Sequence, residues 1–341
     1  MKKIAIVSCW FGPAYPNYFN LWLKSVAMNP DIDFLCFGDN HPQLPTPKNF
    51  SFTHLPLHEF EMLARAKLTT PAINITRPYK VCDFKPMYGD IFSDFLHEHD
   101  FWGHCDLDLI FGKLRDFLTE DRLNAYDKIF ANGHLSLYRN TPEVNMRWRI
   151  PDAKFDVNMV LASPLNFAFD EWDGIYNIYM INGFKFFRDI EFLDPRPGTK
   201  RFRFVQRSNP KYERCPKDYP HQVFYWENGR VFRAFIDETE VIKAEEFAYM
   251  HFQKRHFPPP AETVVEGTAF FCTPQGFLPK PTAGLPSREE ILEYNPYPGK
   301  IYEAWEIWWS KKKRKFRHLT RRSSFAPKSL KIKGKSWRGE N

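Results

Sequence analysis

A chain of 341 residues, 43% hydrophobic and 17% aromatic, can bury a full core; this excludes disorder for its bulk and suits one large α/β domain or two modest ones. The net charge of +7 is a local property, because residues 311–338 hold thirteen Lys and Arg and no acid. The remainder is mildly acidic, which argues against general or specific nucleic-acid binding.

Residues 3–9 form an apolar, β-branched run ahead of Trp10-Phe11-Gly12-Pro13 and predict a buried first strand followed by a loop. The run is too short for a secretory signal and has no small-residue cleavage site. Residues 20–28 have helical spacing, and residues 33–37 before Gly38-Asp39 read as a second buried strand. Strand, helix, strand implies a parallel pair with a right-handed crossover. A third strand is expected over 50–55 and a helix over 59–68. Residues 80–96 place apolar side chains at helical intervals, with Pro86 tolerable only near a first turn. They lead into residues 101–112, a strand that ends in acids. Further strands are expected over 128–131, 231–236 and 269–272, with a hairpin turn at Glu227-Asn228-Gly229-Arg230. Proline-rich residues 257–298 read as loops and wrapping segments. Beyond them, Tyr302, Trp305, Trp308 and Trp309 precede the basic run that starts at Lys311, the composition of an interfacial membrane anchor. No stretch reaches the roughly 18 apolar residues of a transmembrane helix. Six scattered cysteines without a CxxC pair fit a reduced, cytoplasmic setting, peripheral on the inner face of the membrane if the tail binds there.

Asp106-Leu107-Asp108 stands at the C-terminal end of a buried strand, the edge at which open α/β sheets bind ligands. Two carboxylates there suit Mn²⁺ or Mg²⁺, hard cations that take oxygen ligands and phosphate together. A second Asp-x-Asp, Asp31-Ile32-Asp33, is assigned to an exposed turn. The two differ in context, since Asp106 and Asp108 lie among Leu107, Leu109, Ile110 and Phe111, where unpaired carboxylates are costly to bury. A bridge to Lys or Arg would remove the same cost. Asp170 and Glu171, flanked by Phe167, Phe169 and Trp172, are candidates for the carboxylate base of a sugar-lined cleft, or surface acids on a loop. Residues 133–140 follow an apolar strand and could shape one side of a cleft or only cap a turn. No phosphate loop, dinucleotide fingerprint, nucleophile elbow or zinc spacing is present.

The order of residues 4–12, 34–39, Lys80-Val81-Cys82-Asp83-Phe84-Lys85 and 101–112 resembles the DXD-containing GT-A glycosyltransferases of bacterial capsular polysaccharide and lipopolysaccharide synthesis. The resemblance implies a Rossmann-like, mostly parallel central sheet flanked by helices, with a loop-rich C-terminal part and a basic helical tail. It implies a catalytic domain over 1–255, divided into a nucleotide-sugar half (1–140) and an acceptor half (141–255), then a wrapping segment (256–300) and the tail (301–341). Cys9, Trp10, Phe11 and Asp39 would contact the nucleoside, and Lys80, Asp83 and Lys85 the ribose or phosphates. Asp106 and Asp108 would hold the metal against the diphosphate. Relatives often add a late histidine as third ligand; His251 is the best match, with Lys254 and Arg255 beside it for the leaving group, and His104, His134, His221 and His256 as competitors. The implied donor is a nucleotide sugar, a uridine nucleotide by preference, and the acceptor a saccharide or lipid-linked saccharide. Two other readings share parts of this pattern: a non-catalytic module whose basic tail binds nucleic acid or acidic polymer, and another metal-dependent nucleotide enzyme.

Overall fold

The structure, a computed structural model, describes residues 1–320 except 71, 197–198, 205–214 and 254. Its first strands are β1 (Ile4–Trp10), β2 (Ile32–Gly38), β3 (Phe50–His54) and β4 (Phe101–Cys105). Then come β5 (Leu109–Phe111), β6 (Lys128–Asn132), β7 (Leu135–Arg139) and β8 (Phe186–Phe187). Among the described residues the main sheet has seven strands in the order β3-β2-β1-β4-β7-β6-β8. Pairing is parallel from β3 through β4, antiparallel at β4–β7 and β7–β6, and parallel again at β6–β8. This is the mostly parallel α/β sheet that the sequence predicts, and helices cover it.

Burial on both faces explains why β1 and β4 read as unbroken apolar runs rather than alternating ones. Helix α1 (Phe19–Ala27) lies against one face, and its buried Trp22 meets Phe34, Phe50 and Phe111 edge-on, each with ring centroids 5.9 Å away. Helix α2 (Leu57–Leu68) buries Phe60, Ala64 and Leu68, one residue per turn. The expected helix from Lys80 winds differently. Residues Pro78–Met87 form a 3-10 helix with Pro86 inside it, and α-helical turns begin at Tyr88. Proline removes a donor from an α-helix and clashes with the preceding turn, so the α pattern starts only after it. Asp33 also departs from expectation: it lies within β2, exposed, where it pairs with His99 at 2.9 Å.

The later strands are β9 (Phe192–Leu193), β10 (Gln222–Glu227), β11 (Arg230–Ile236), β12 (Ile242–Phe247), β13 (Tyr249–His251), β14 (Ala269–Thr273) and β15 (Gly276–Pro279). Five of them make an antiparallel sheet, β12-β11-β10-β14-β15. The predicted hairpin joins β10 to β11, with Asn228 and Gly229 both at positive φ, the conformation that matches strand twist in a two-residue loop. The proline-rich stretch thus supplies two strands as well as wrapping loops. An aromatic core around Phe224, Trp226, Phe252, Phe257 and Phe270 packs this sheet against Tyr18 and Leu21 of the α1 region. The Trp226 indole donates to the Phe111 carbonyl of β5 at 3.0 Å and fastens the antiparallel sheet to that strand. A third, small sheet, β5-β13-β9, forms the seam between the two larger ones. The six cysteines are free.

Candidate active site

The chain leaves β4 at Cys105 and re-enters a strand at Leu109, so Asp106-Leu107-Asp108 is the connection between them. Two long-range contacts shape it. The Asp106 N–H donates to the His134 carbonyl at 2.9 Å, and the Phe252 N–H to the Asp108 carbonyl at 2.9 Å. Antiparallel pairing of β13 with β5 sets His251 opposite Leu109 and so beside Asp108. One ligand atom from each of Asp106, Asp108 and His251 lies within 4.8 Å of the others. Two carboxylates and an imidazole form an O/N donor set; the carboxylates suit hard cations such as Mn²⁺ or Mg²⁺, and the imidazole nitrogen favours Mn²⁺ of the two.

Electrostatics favour a cation here. Burial pushes the Asp106 carboxyl above its ordinary range; Lys85 opposes the shift and neighbouring Asp108 adds to it. Burial alone would lower the His251 pKa, but Asp108 and Asp194 on either side of the ring raise it to about 10. The His251 Nε2 stands 3.5 Å from Asp108 Oδ1, and Nδ1 3.1 Å from Asp194 Oδ1. Without a cation, the proton on His251 balances charge that a divalent ion would balance instead.

Lys85 is the hub on the other side of Asp106. Its Nζ donates to Asp106 Oδ1 at 2.6 Å and to the Gly133 carbonyl at 2.8 Å, and lies 3.3 Å from Asp170 Oδ2. Burial lowers its pKa, yet Asp106 and Asp170 more than reverse this and hold it well above the ordinary value. Lys85 therefore stays charged, with its donors spent on the carboxylates, and acts as their bridge rather than as a free phosphate ligand. Asp170 is 4% exposed, and burial pushes its carboxyl up to about 7 against the pull of Lys85. A Cβ on Gly133 would come within 2.2 Å of Asp170 Oδ2 and 3.1 Å of Glu171 Cγ, so only glycine lets the 133–134 turn pass these acids. The fold thus brings Asp106, Asp108, His251, Lys85, Asp170 and Glu171 into one neighbourhood.

The remaining sequence candidates divide between the core, a recess at the ends of β1 and β2, and the site itself. Lys80 and Asp83 have no exposed surface and pair with each other at 2.8 Å. Asp83 accepts the N–H groups of Phe167 and Phe169, at 2.9–3.1 Å, and Lys80 donates to the Val160 and Leu165 carbonyls. Contact with ribose or phosphate is incompatible with that burial; the pair holds the loop that presents Asp170. The Phe11 ring is 7% exposed and packs on Phe60, which makes it a core residue. Cys9 is half-buried at the end of β1, and desolvation raises its thiol to about 12, so it stays neutral. Trp10 stacks near Tyr15 and donates to the Ala14 carbonyl. Asp39 accepts the Gly12 N–H at 3.2 Å and borders a recess of about 490 Å³ lined by Tyr15, Asn17, Asn20, Asn40 and His41. Lys254 lies outside the described residues. Among the competing histidines, His104 is fully buried in β4, and burial drives its pKa well below the ordinary value. His134 joins the site, its ring stacked on that of His251 with centroids 4.1 Å apart. Asp194 was not singled out by the sequence; its only local signal is an acid closing the apolar pair Phe192-Leu193 ahead of Pro195.

Residues 6–281 match a family described as one of unknown function, DUF6625. The chain belongs to that family. No curated protein matches it. Among solved structures, this DUF6625 member is similar to the glycosyltransferase GlyE of Streptococcus pneumoniae TIGR4, with 15% identity and a TM-score of 0.32 over 55% of this chain. The match spans 45% of GlyE, less than half its length. It is also similar to an active-site mutant of LgtC, at 13% identity and a TM-score of 0.38. The third is the galactosyltransferase LgtC in complex with donor and acceptor sugar analogs, at 14% and 0.37. Both LgtC matches cover 77% of this chain and 90% of the other.

Proposed function

We propose that this protein is a metal-dependent glycosyltransferase that moves a sugar from a nucleoside-diphosphate donor to a saccharide or lipid-linked acceptor in bacterial surface polysaccharide synthesis. The observation that carries the reading is the convergence of Asp106, Asp108 and His251 within 4.8 Å at the C-terminal edge of the parallel strands. Asp106, Asp108 and His251 would hold Mn²⁺ or Mg²⁺, which when bound supplies positive charge for the departing diphosphate. The nucleoside, a uridine by resemblance, would take the neighbouring recess beside Tyr15 and Asp39, at the end of β1 and β2.

In the reaction the acceptor hydroxyl oxygen forms a bond to the anomeric carbon. The bond from that carbon to the donor phosphate oxygen breaks, and its electron pair leaves with the diphosphate. The acceptor proton passes to a carboxylate of the Asp170–Glu171 pair if the enzyme inverts configuration. Lys85 keeps Asp106 and Asp170 in place and compensates their charge. The C-terminal helix, Lys300–Thr320, would rest on an anionic membrane. Ile301, Trp305 and Trp308 are 89%, 52% and 50% exposed, with Tyr302 and Trp309 beside them. No helix of the described residues is long and apolar enough to cross a membrane.

The test is a thermal-shift screen of nucleotide sugars, with and without Mn²⁺, on the wild type and on Asp108→Ala. One donor stabilises the wild type only with metal present, and Asp108→Ala loses the effect. If neither metal nor any nucleotide shifts either protein, the acids are structural and the reading falls.

A further inference from the structure

Strand β13 runs between β5 and β9, so His251 at its end has Asp108 on one side and Asp194, which follows β9, on the other. Asp194 is 5% exposed. Its Oδ1 faces His251 Nδ1 at 3.1 Å and also accepts from the Gln253 side-chain amide. His134 covers the His251 ring face, at 4.1 Å and an interplanar angle of 25°. His134 is itself held at both nitrogens, Nε2 by the Asn132 amide at 2.9 Å and Nδ1 by the Tyr249 hydroxyl at 3.1 Å. The ring of His251 is therefore clamped in its plane and anchored at one nitrogen.

His134, Asp194 and His251 also lie close enough to suggest a second cation site. With both His134 nitrogens engaged and Asp194 shared with Gln253, the trio is better matched to holding His251 than to holding an ion. We infer that Asp194 is a positioning residue that fixes the tautomer of His251, keeping the proton on Nδ1 and aiming the Nε2 lone pair at the space between Asp106 and Asp108. A carboxylate behind a ligating imidazole orients the ring and raises its basicity, and its loss typically weakens metal binding about 10- to 100-fold. The inference rests on the metal-site reading above.

The experiment is Mn²⁺ titration of the full chain, without nucleotide, read by electron paramagnetic resonance of the free ion. The proteins are wild type, Asp194→Ala, Asp194→Asn, His251→Ala and the double variant Asp194→Ala/His251→Ala, with circular dichroism and melting of each metal-free protein. Asp194→Ala is expected to weaken Mn²⁺ binding about 10- to 100-fold, and Asp194→Asn less, because the amide oxygen still accepts from Nδ1–H. In the double variant, removing Asp194 adds nothing to the loss from His251→Ala. Wild-type affinity in Asp194→Ala, or a full additional loss in the double variant, overturns the inference while leaving the metal site standing. Where Asp194→Ala does not fold, wild-type affinity in both Asp194→Asn and His251→Ala overturns it. No Mn²⁺ binding by the wild type overturns the metal reading and this inference together.

Discussion

At the residue scale, the site is a set of largely desolvated charges held in mutual contact, with backbone strain beside it. Among the described residues six non-glycine residues have positive φ, and three border the site: Phe130, Ala168 and Gln253. Such conformations cost about 1–3 kcal/mol each and persist only when the surroundings enforce them. Phe130 sits where the β6–β7 register shifts, a bulge that leads into Asn132, whose amide holds His134, and into the His134 carbonyl that accepts the Asp106 N–H. Ala168 turns the chain so that Asp170 faces Lys85. The Asp170 carboxyl titrates near 7 because burial favours its neutral form. If it is the base, kcat/KM climbs as pH rises through about 7, and Asp170→Asn loses that limb while retaining a flat residual rate. Stability runs the other way. Folded Asp170 keeps its proton from the ordinary carboxylate range up to about 7, so its contribution is fully favourable below that window and is lost as pH rises through it. Melting curves across pH should show the stability gap between wild type and Asp170→Asn closing, then reversing, with rising pH; a pH-independent gap counts against the buried carboxyl.

At the element scale, the 3-10 helix Pro78–Met87 is a bracket behind the cleft. Its Lys80 and Asp83 link the helix to the 160–169 segment, and its Lys85 reaches forward to Asp106 and Asp170. Lys80→Met leaves Asp83 buried without its cation. Breaking a buried pair in this way typically costs about 3–5 kcal/mol. The double variant Lys80→Met/Asp83→Asn, whose amide oxygen still accepts from Phe167 and Phe169, should recover part of the loss in urea unfolding. Equal or greater loss in the double variant would show that the charge pair itself is not the cause. The spacing of apolar residues over 80–96 correctly announced a wound segment, but not its 3-10 form, which depends on Pro86. Nor did it separate Lys85, which faces the site, from Lys80, which faces the core. Both are lysines on one short helix, and only the position of the 160–169 loop decides.

At the scale of the whole molecule, the C-terminal helix is fastened to the body by its inner face. Glu303 binds Arg201 at 2.9 Å and Arg203 at 3.2 Å, and Arg201 is anchored in turn by Asp218. The opposite face carries Ile301, Trp305 and Trp308 into solvent. Trp305→Ala/Trp308→Ala should cut binding to vesicles containing anionic phospholipid several-fold in co-sedimentation, and added salt should weaken what remains. Removal of residues 311–341 should likewise reduce vesicle binding yet leave turnover of a soluble donor intact; loss of turnover on deletion would favour a role for the tail in the chemistry.

Hydrophobic periodicity by itself determined the strands β1, β2, β4 and β11, and turn chemistry the hairpin at Asn228-Gly229, because period and turn residues are written into neighbouring positions; Asp106 and Asp108, set among buried apolar residues, stay partly exposed at the strand end. Resemblance drew attention to His251. Only the tertiary structure decided that β13 lies between β5 and β9, and with it that Asp108, Asp194, His134 and His251 share one place. It also turned Phe11, Lys80 and Asp83 inward. Strand partners far apart in the chain are selected by packing and register, and no local pattern of residues carries that information.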